Sequence, residues 1–240
     1  MINTSDNSAS ENLPVRTRVK KNIHKEVIEE QVKEDINEDM IIKECILSID
    51  IGKINLGYAI VSYDSLPFNK NNASLEFGIY NITENSKKMD TVTGRCKALN
   101  MFLKDISKKY SIQLIIIERQ VNTNTTTMEL MYAIAALSLS YVPDIKRIKI
   151  FDPKLKFTYI NEKYTTANKK HKELSILYTR RILQSFFRDS IDDYVEFDKK
   201  DDIADALNQL MIYSLQNGMI DNFKPEDIQK YKREILMLDK

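Results

Sequence analysis

Residues 114–117 read Leu-Ile-Ile-Ile, and a strand with one solvated face cannot carry four branched apolar side chains in succession. Alternate residues of a strand point to opposite faces, so this run needs cover on both sides, as the strands of a parallel sheet have. It ends on a carboxylate, Glu118. An earlier run ends the same way. Glu44–Ile49 leads into Asp50, the chain turns through Gly52 to Asn55, and Leu56–Tyr63 runs back. Gly52 suits a tight turn, and Gly57 marks a bulge or a close approach in the returning strand. Asp50 could simply open a β-turn. A charged group at a buried strand end is costly unless paired, so both carboxylates otherwise call for a partner or a cation.

The remaining pattern extends this start. Leu75–Tyr80 reads as a third strand after the polar loop Asp64–Ala73, giving an antiparallel meander. Between Thr91 and Tyr110 the period lengthens: Ala98, Leu99, Phe102, Leu103 and Ile106 recur at helical spacing. A second helix follows the cap-rich stretch 122–127 and carries Met128, Leu130, Met131, Ile134, Leu137 and Leu139 before Pro143. Such a helix belongs in a core or an interface. Arg147–Phe151 reads as a fifth strand and Lys154–Asn168 as a basic loop. Asn168 caps a helix through Leu174, Leu177, Ile182 and Phe186, residues 189–200 read as an acidic linker, and the last strong helix begins at Asp201. The order βββ-α-β-α-β-α-α predicts an α/β fold with a mixed five-stranded sheet, a three-stranded antiparallel meander plus parallel strands, flanked by helices. Residues 1–42 are polar and charged and read as a disordered tail, residues 43–222 as the folded domain, and 223–240 as a peripheral helix or tail.

Several classes are disfavoured. With 42% hydrophobic and 30% charged residues, and no apolar run near the ~18 residues of a membrane span, no membrane partner is expected. Met1–Asn12 lacks the basic and apolar regions of a secretory signal, so the chain is not expected to be secreted. The two cysteines, Cys45 and Cys96, sit in apolar patterns and read as reduced core residues of an intracellular protein. His24 and His171 are too far apart to suggest a zinc site. Net charge is only +1, yet Lys146–Arg188 is strongly basic, its acids being only Asp152, Glu162 and Glu173. A local basic face can hold phosphates on a protein of balanced charge.

Asp202 and Asp205 add the last element. Spaced i and i+3 they share a helix face, and capping accounts for Asp201 or Asp202 but not for Asp205, which leads straight into the apolar face. Clustered carboxylates without His or Cys suit Mg²⁺ or Mn²⁺, and two such ions assist phosphodiester cleavage.

Four blocks carry a resemblance: Ser48–Asn55, Ile116–Gln120, Asn168–Lys170 and Lys200–Asp205. Together they resemble the signature blocks of poxvirus-type Holliday junction resolvases, relatives of RuvC in the ribonuclease H-like superfamily. The resemblance spans roughly residues 44–217. It implies a ribonuclease H-like sheet and a homodimer that nicks opposing strands of a four-way DNA junction with two Mg²⁺ ions, Mn²⁺ substituting. It implies Asp50, Glu118, Asp202 and Asp205 as metal ligands. It also implies a lysine at the scissile phosphate, for which Lys170 is the choice and Lys169 and Lys172 fit nearly as well. Lys154 and Lys156 are expected to touch phosphates elsewhere, and Arg119 and Gln120 to reach the DNA backbone or to support the site. The helix Thr125–Tyr141 is the candidate dimer contact. A viral origin, and with it the host cytoplasm as the place of action, is likewise only implied.

Two other readings share parts of this pattern. A ribonuclease H-like nuclease acting on RNA–DNA hybrid or other branched DNA would use the same carboxylates. An actin-like ATPase or sugar kinase also begins with a strand and an Asp-x-Gly hairpin, but it repeats the hairpin and needs more Gly-rich loops than five glycines provide.

Overall fold

The computed structural model describes residues 43–83, 91–120, 124–142, 144–158 and 168–220, all within one unit, Ile42–Lys240. The tail and the terminal helix expected at 1–42 and 223–240 lie outside the described residues.

Three nine-residue strands, β1 (Lys43–Ile51), β2 (Asn55–Tyr63) and β3 (Ala73–Asn81), form the antiparallel meander. Gly52 N–H donates to Asn55 O at 2.8 Å and closes the first turn. β4 (Tyr110–Glu118) and β5 (Ile148–Phe151) add in parallel on the other side of β1, giving the order β3-β2-β1-β4-β5. The predicted mixed five-stranded sheet is therefore present.

Both sheet faces are covered, as the run 114–117 demanded. On one face Leu47, Ile49, Ile115 and Ile117 pack against α1 (Val92–Lys109) and α2 (Thr125–Ser138). On the other, Ile46, Val61, Leu114 and Ile116 meet α6 (Lys200–Gln216) and its neighbours. Each fully buried Leu or Ile contributes about 1.5–3 kcal/mol of transfer free energy, so these central strands dominate the stability. α1 is held locally as well: Thr91 Oγ1 accepts from Gly94 N–H at 3.1 Å, and Lys108 and Lys109 sit in the last turn, where the helix dipole favours cations.

α6 has unusually little free surface. From Ile203 to Ile212 every residue except Asp205 is buried, so the helix is a central strut. It ends in a Schellman motif, with Gly218 at φ +65° and bonds from Gly218 N–H to Leu215 O and Met219 N–H to Ser214 O.

Two segments differ from expectation. The predicted basic loop begins as a short helix, α3 (Lys154–Thr158), because Asp152 Oδ1 accepts from Lys154 N–H at 3.0 Å. The predicted acidic linker folds as a 3-10 turn, Arg188–Ser190, followed by α5 (Ile191–Glu196). Its Tyr194 is fully buried, edge-on to Phe77 at 5.9 Å, and Phe197 packs on the same ring at 5.9 Å, so two aromatics anchor a stretch that charge otherwise dominates. Between them α4 (Asn168–Phe186) begins at the residue read as its cap.

Candidate active site

Strand alternation decides where the first two carboxylates point. Asp50 shares a face with Ile46 and Ser48, and Glu118 with Leu114 and Ile116, so both face α6. The β1–β4 ladder stops at Ile49–Ile117. Asp50 and Glu118 are thus the next residue on each strand, where the two chains are free to part.

The third element comes in across a glycine. Asp50 pairs with Gly57 in the β1–β2 ladder, and a Cβ on Gly57 would stand 2.3 Å from the backbone oxygen of Asp202. The missing side chain lets the first turn of α6 lie on β2 beside Asp50. Gly57→Ala is expected to destabilise the fold by about 1–3 kcal/mol, since both clashing groups are backbone. Denaturant unfolding reads this directly, and an unchanged midpoint would mean that α6 does not start against β2.

At the centre lies Lys156. Its side chain is only 5% exposed, and Nζ is 3.0 Å from Glu118 Oε1 and 3.3 Å from Asp205 Oδ1. Burial opposes the charge on Lys156, but the Glu118, Asp205 and Asp50 carboxylates outweigh it and hold the ammonium above its usual pKa. Asp50 is raised well above the ordinary carboxylate range, first by burial, then by the negative charge of Glu118 and a hydrogen bond shared with it, and by Asp205. Burial would raise Glu118 too, but Lys156 and the hydrogen bond from Asp50 bring it below the usual value. The chemistry is that of a proton and an ammonium shared among three carboxylates.

Around this centre Ser175 Oγ donates to Asp205 Oδ1 at 2.7 Å, and Asn208 Nδ2 reaches Ser175 O and Oγ at 3.0 and 2.8 Å. Asp205 is therefore aimed from α4 as well as from α6. Asp202 is raised by burial and by its neighbours Asp201 and Asp205. Lys172 pairs with Asp201 at the entrance, its side chain 60% exposed.

The structure thus brings Asp50, Glu118 and Asp205 together, with Asp202 one helical turn away on the same face. Lys156 was expected at phosphates elsewhere and instead lies inside the cluster. The Asp152-Pro153 pair, a helix-start signal, could have pointed to the short helix that carries it inward. Lys154 is exposed on that helix, Arg119 is exposed next to Glu118, and Gln120 turns back, its N–H meeting Met131 Sδ at 3.4 Å. The side chains of Lys169 and Lys170 lie outside the described residues. Ser175 and Gln209, which also touch this region, carried no signal in the sequence beyond being polar residues on a helix.

The donors around Lys156 are all carboxylate oxygens, the set suited to a hard divalent cation. The position where positive charge is wanted is marked by the ammonium itself. Among the described residues no group of three already stands as a metal cage; Glu118 and Asp205 face Nζ at 3.0 and 3.3 Å.

A family profile described as Poxvirus A22 protein matches residues 44–217. No curated protein matches the chain significantly. Among solved structures, the yeast mitochondrial Holliday junction resolvase Ydc2 is 16% identical with a TM-score of 0.51, covering 86% of this chain and 92% of its own. Thermus thermophilus RuvC is 14% identical with a TM-score of 0.50, covering 73% and 96%. Fowlpox virus resolvase, solved with Holliday junction DNA, is 20% identical with a TM-score of 0.49, covering 71% and 98%. At these identities Ydc2 and RuvC support the fold.

Proposed function

The chain belongs to the poxvirus A22 family of Holliday junction resolvases, and we propose that it nicks opposing strands of four-way DNA junctions at the carboxylate cluster around Lys156. The observation that carries this reading is the convergence of Asp50, Glu118 and Asp205, from three remote parts of the chain, on one buried ammonium.

In this reading Asp50, Glu118, Asp202 and Asp205 hold two Mg²⁺ ions, for which Mn²⁺ substitutes. Such ions lower the pKa of bound water and offset charge on the phosphate. Asp50 is the carboxylate whose ionisation the site opposes most, and so gains most from a nearby cation. Lys156 keeps Glu118 and Asp205 together before DNA arrives, and Ser175 keeps Asp205 aimed. Arg119, Lys154 and Lys172, all exposed, supply phosphate contacts, and Lys170 in the first turn of α4 stays the choice for the scissile phosphate, with Lys169 and Lys172 as the alternatives. Gln120 supports the strand end rather than the DNA, since its Nε2 lies 3.5 Å from Glu118 O.

Nicking two strands calls for two copies of the site. α2 buries Leu130, Met131 and Ile134 in the first core yet leaves Tyr132 63% exposed, its C-cap Leu139 is 40% exposed, and Met101 of α1 is 49% exposed. A homodimer formed through this face accounts for both. The host cytoplasm as the place of action is part of this reading and is supported by membership of a poxvirus family; no described helix is long and apolar enough to cross a membrane.

The deciding experiment presents labelled four-way junction, linear duplex and RNA–DNA hybrid to the full chain, with and without Mg²⁺. Paired, ligatable nicks confined to the junction and dependent on the ion are expected. Preferential cutting of the hybrid would overturn the assignment and favour a different ribonuclease H-like activity.

A further inference from the structure

Behind the carboxylates a single side-chain nitrogen joins all three elements that carry them. Gln209 Nε2 lies 3.0 Å from Ser48 Oγ, 3.3 Å from Ile49 O and 3.1 Å from Ile116 O. Ile49 O belongs to the residue before Asp50. Ile116 O sits two residues before Glu118. The β1–β4 ladder ends at Ile49–Ile117, so the nitrogen spans the two strands just before the residues that carry the carboxylates.

The same side chain ties in α6. Asp202, Asp205 and Gln209 stand at i, i+3 and i+7, on one helix face. Ser48 completes the link from the sheet, since its Oγ accepts from Gln209 and donates to Ala206 O at 2.7 Å. Gln209 is fully buried. Its Oε1 has no hydrogen-bond partner among the described residues. Buried polar atoms are nearly always satisfied, and an apolar residue would fill this site without leaving an orphan oxygen. What the amide supplies and an apolar residue cannot is a pair of N–H donors, which Nε2 divides among the three acceptors.

We propose that Gln209 is a positioning residue that fixes the separation of Asp50 and Glu118 and their height beneath Asp205, and so sets the affinity of the cluster for divalent cations. The proposal rests on the reading of that cluster as a metal-dependent nuclease site. The residue is fully buried behind the carboxylates. It acts through the strand ends.

The test measures Mn²⁺ binding by titration calorimetry, junction Kd, single-turnover cleavage rate and Tm for the full chain and for Gln209→Met, which keeps length and burial. Expected is a fall of roughly tenfold or more in Mn²⁺ affinity, the scale seen when supporting groups behind metal ligands are removed. The cleavage rate should fall with it while junction Kd stays unchanged. Ser48→Ala, which removes one of the three acceptors and little volume, should shift both in the same direction by less, and it decides the matter if Gln209→Met fails to fold. A folded variant that binds Mn²⁺ and cuts as the wild type does overturns the proposal. Wild-type protein that neither binds Mn²⁺ nor cuts junctions would instead sink the resolvase reading itself, so the two failures are separable.

Discussion

In the ion-free protein, Lys156→Met is expected to lower the Tm by about 6–20 °C. The estimate multiplies the ~3–5 kcal/mol lost on removing one partner of a buried ion pair by the ~2–4 °C per kcal/mol of a chain this size. Methionine matches the volume, so the loss comes from charge: Glu118 and Asp205 keep their burial and lose the ammonium at 3.0 and 3.3 Å. The sign follows from the direction of the Lys156 shift. Its pKa is raised on folding, so the stability it contributes is fully present below the ordinary lysine value and is lost only as pH climbs through the raised one. The deficit in the variant should therefore be undiminished across neutral pH. Mg²⁺ added to the variant should restore part of the Tm, because a bound cation stabilises the folded state by an amount that grows with the logarithm of its concentration over Kd. A Tm equal to that of the wild type without added ion would show that the buried contacts carry no weight.

Asp50→Asn should move stability and activity in opposite directions. The Asp50 pKa is raised on folding by burial and by Glu118. Its favourable contribution is thus present below the ordinary carboxylate value and lost as pH rises through the elevated one, so above the ordinary value the buried Asp50 is a cost to the ion-free fold, either as a proton taken up or as a charge held. Asparagine removes that cost while keeping the shape. The ion-free variant should melt higher, by about 2–4 °C for each kcal/mol relieved. Cleavage should fall by about 10²–10³-fold or more, with junction binding retained. A gain in stability with a loss of rate separates loss of function from misfolding. Calorimetry and a single-turnover assay on one preparation read both, and a variant that cuts at the wild-type rate would remove Asp50 from the site.

The parts of this centre that alternation governs were legible beforehand. Asp50 and Glu118 stood out because each ends an apolar strand, and period two then places both on the α6 face. Asp202 and Asp205 were legible from helical spacing. Lys156 was not, because it stands in a run of lysines that read alike, and only the turn into α3 makes it the inward one. Gln209 was hidden for another reason: a polar residue inside an apolar helix pattern looks like a break in the face until the carbonyls it meets, from residues 49 and 116, are in place. The acidic stretch 189–200 read as a linker because charge dominates it, while Tyr194 and Phe197, both packed on Phe77, decide its fold.

The most direct measurement uses Asp205→Asn on a symmetric four-way junction with Mg²⁺. Wild-type protein should introduce paired nicks in opposing strands, and the variant should bind the junction with the same Kd and leave it intact. Nicking by Asp205→Asn at the wild-type rate would contradict a catalytic centre assembled from these carboxylates.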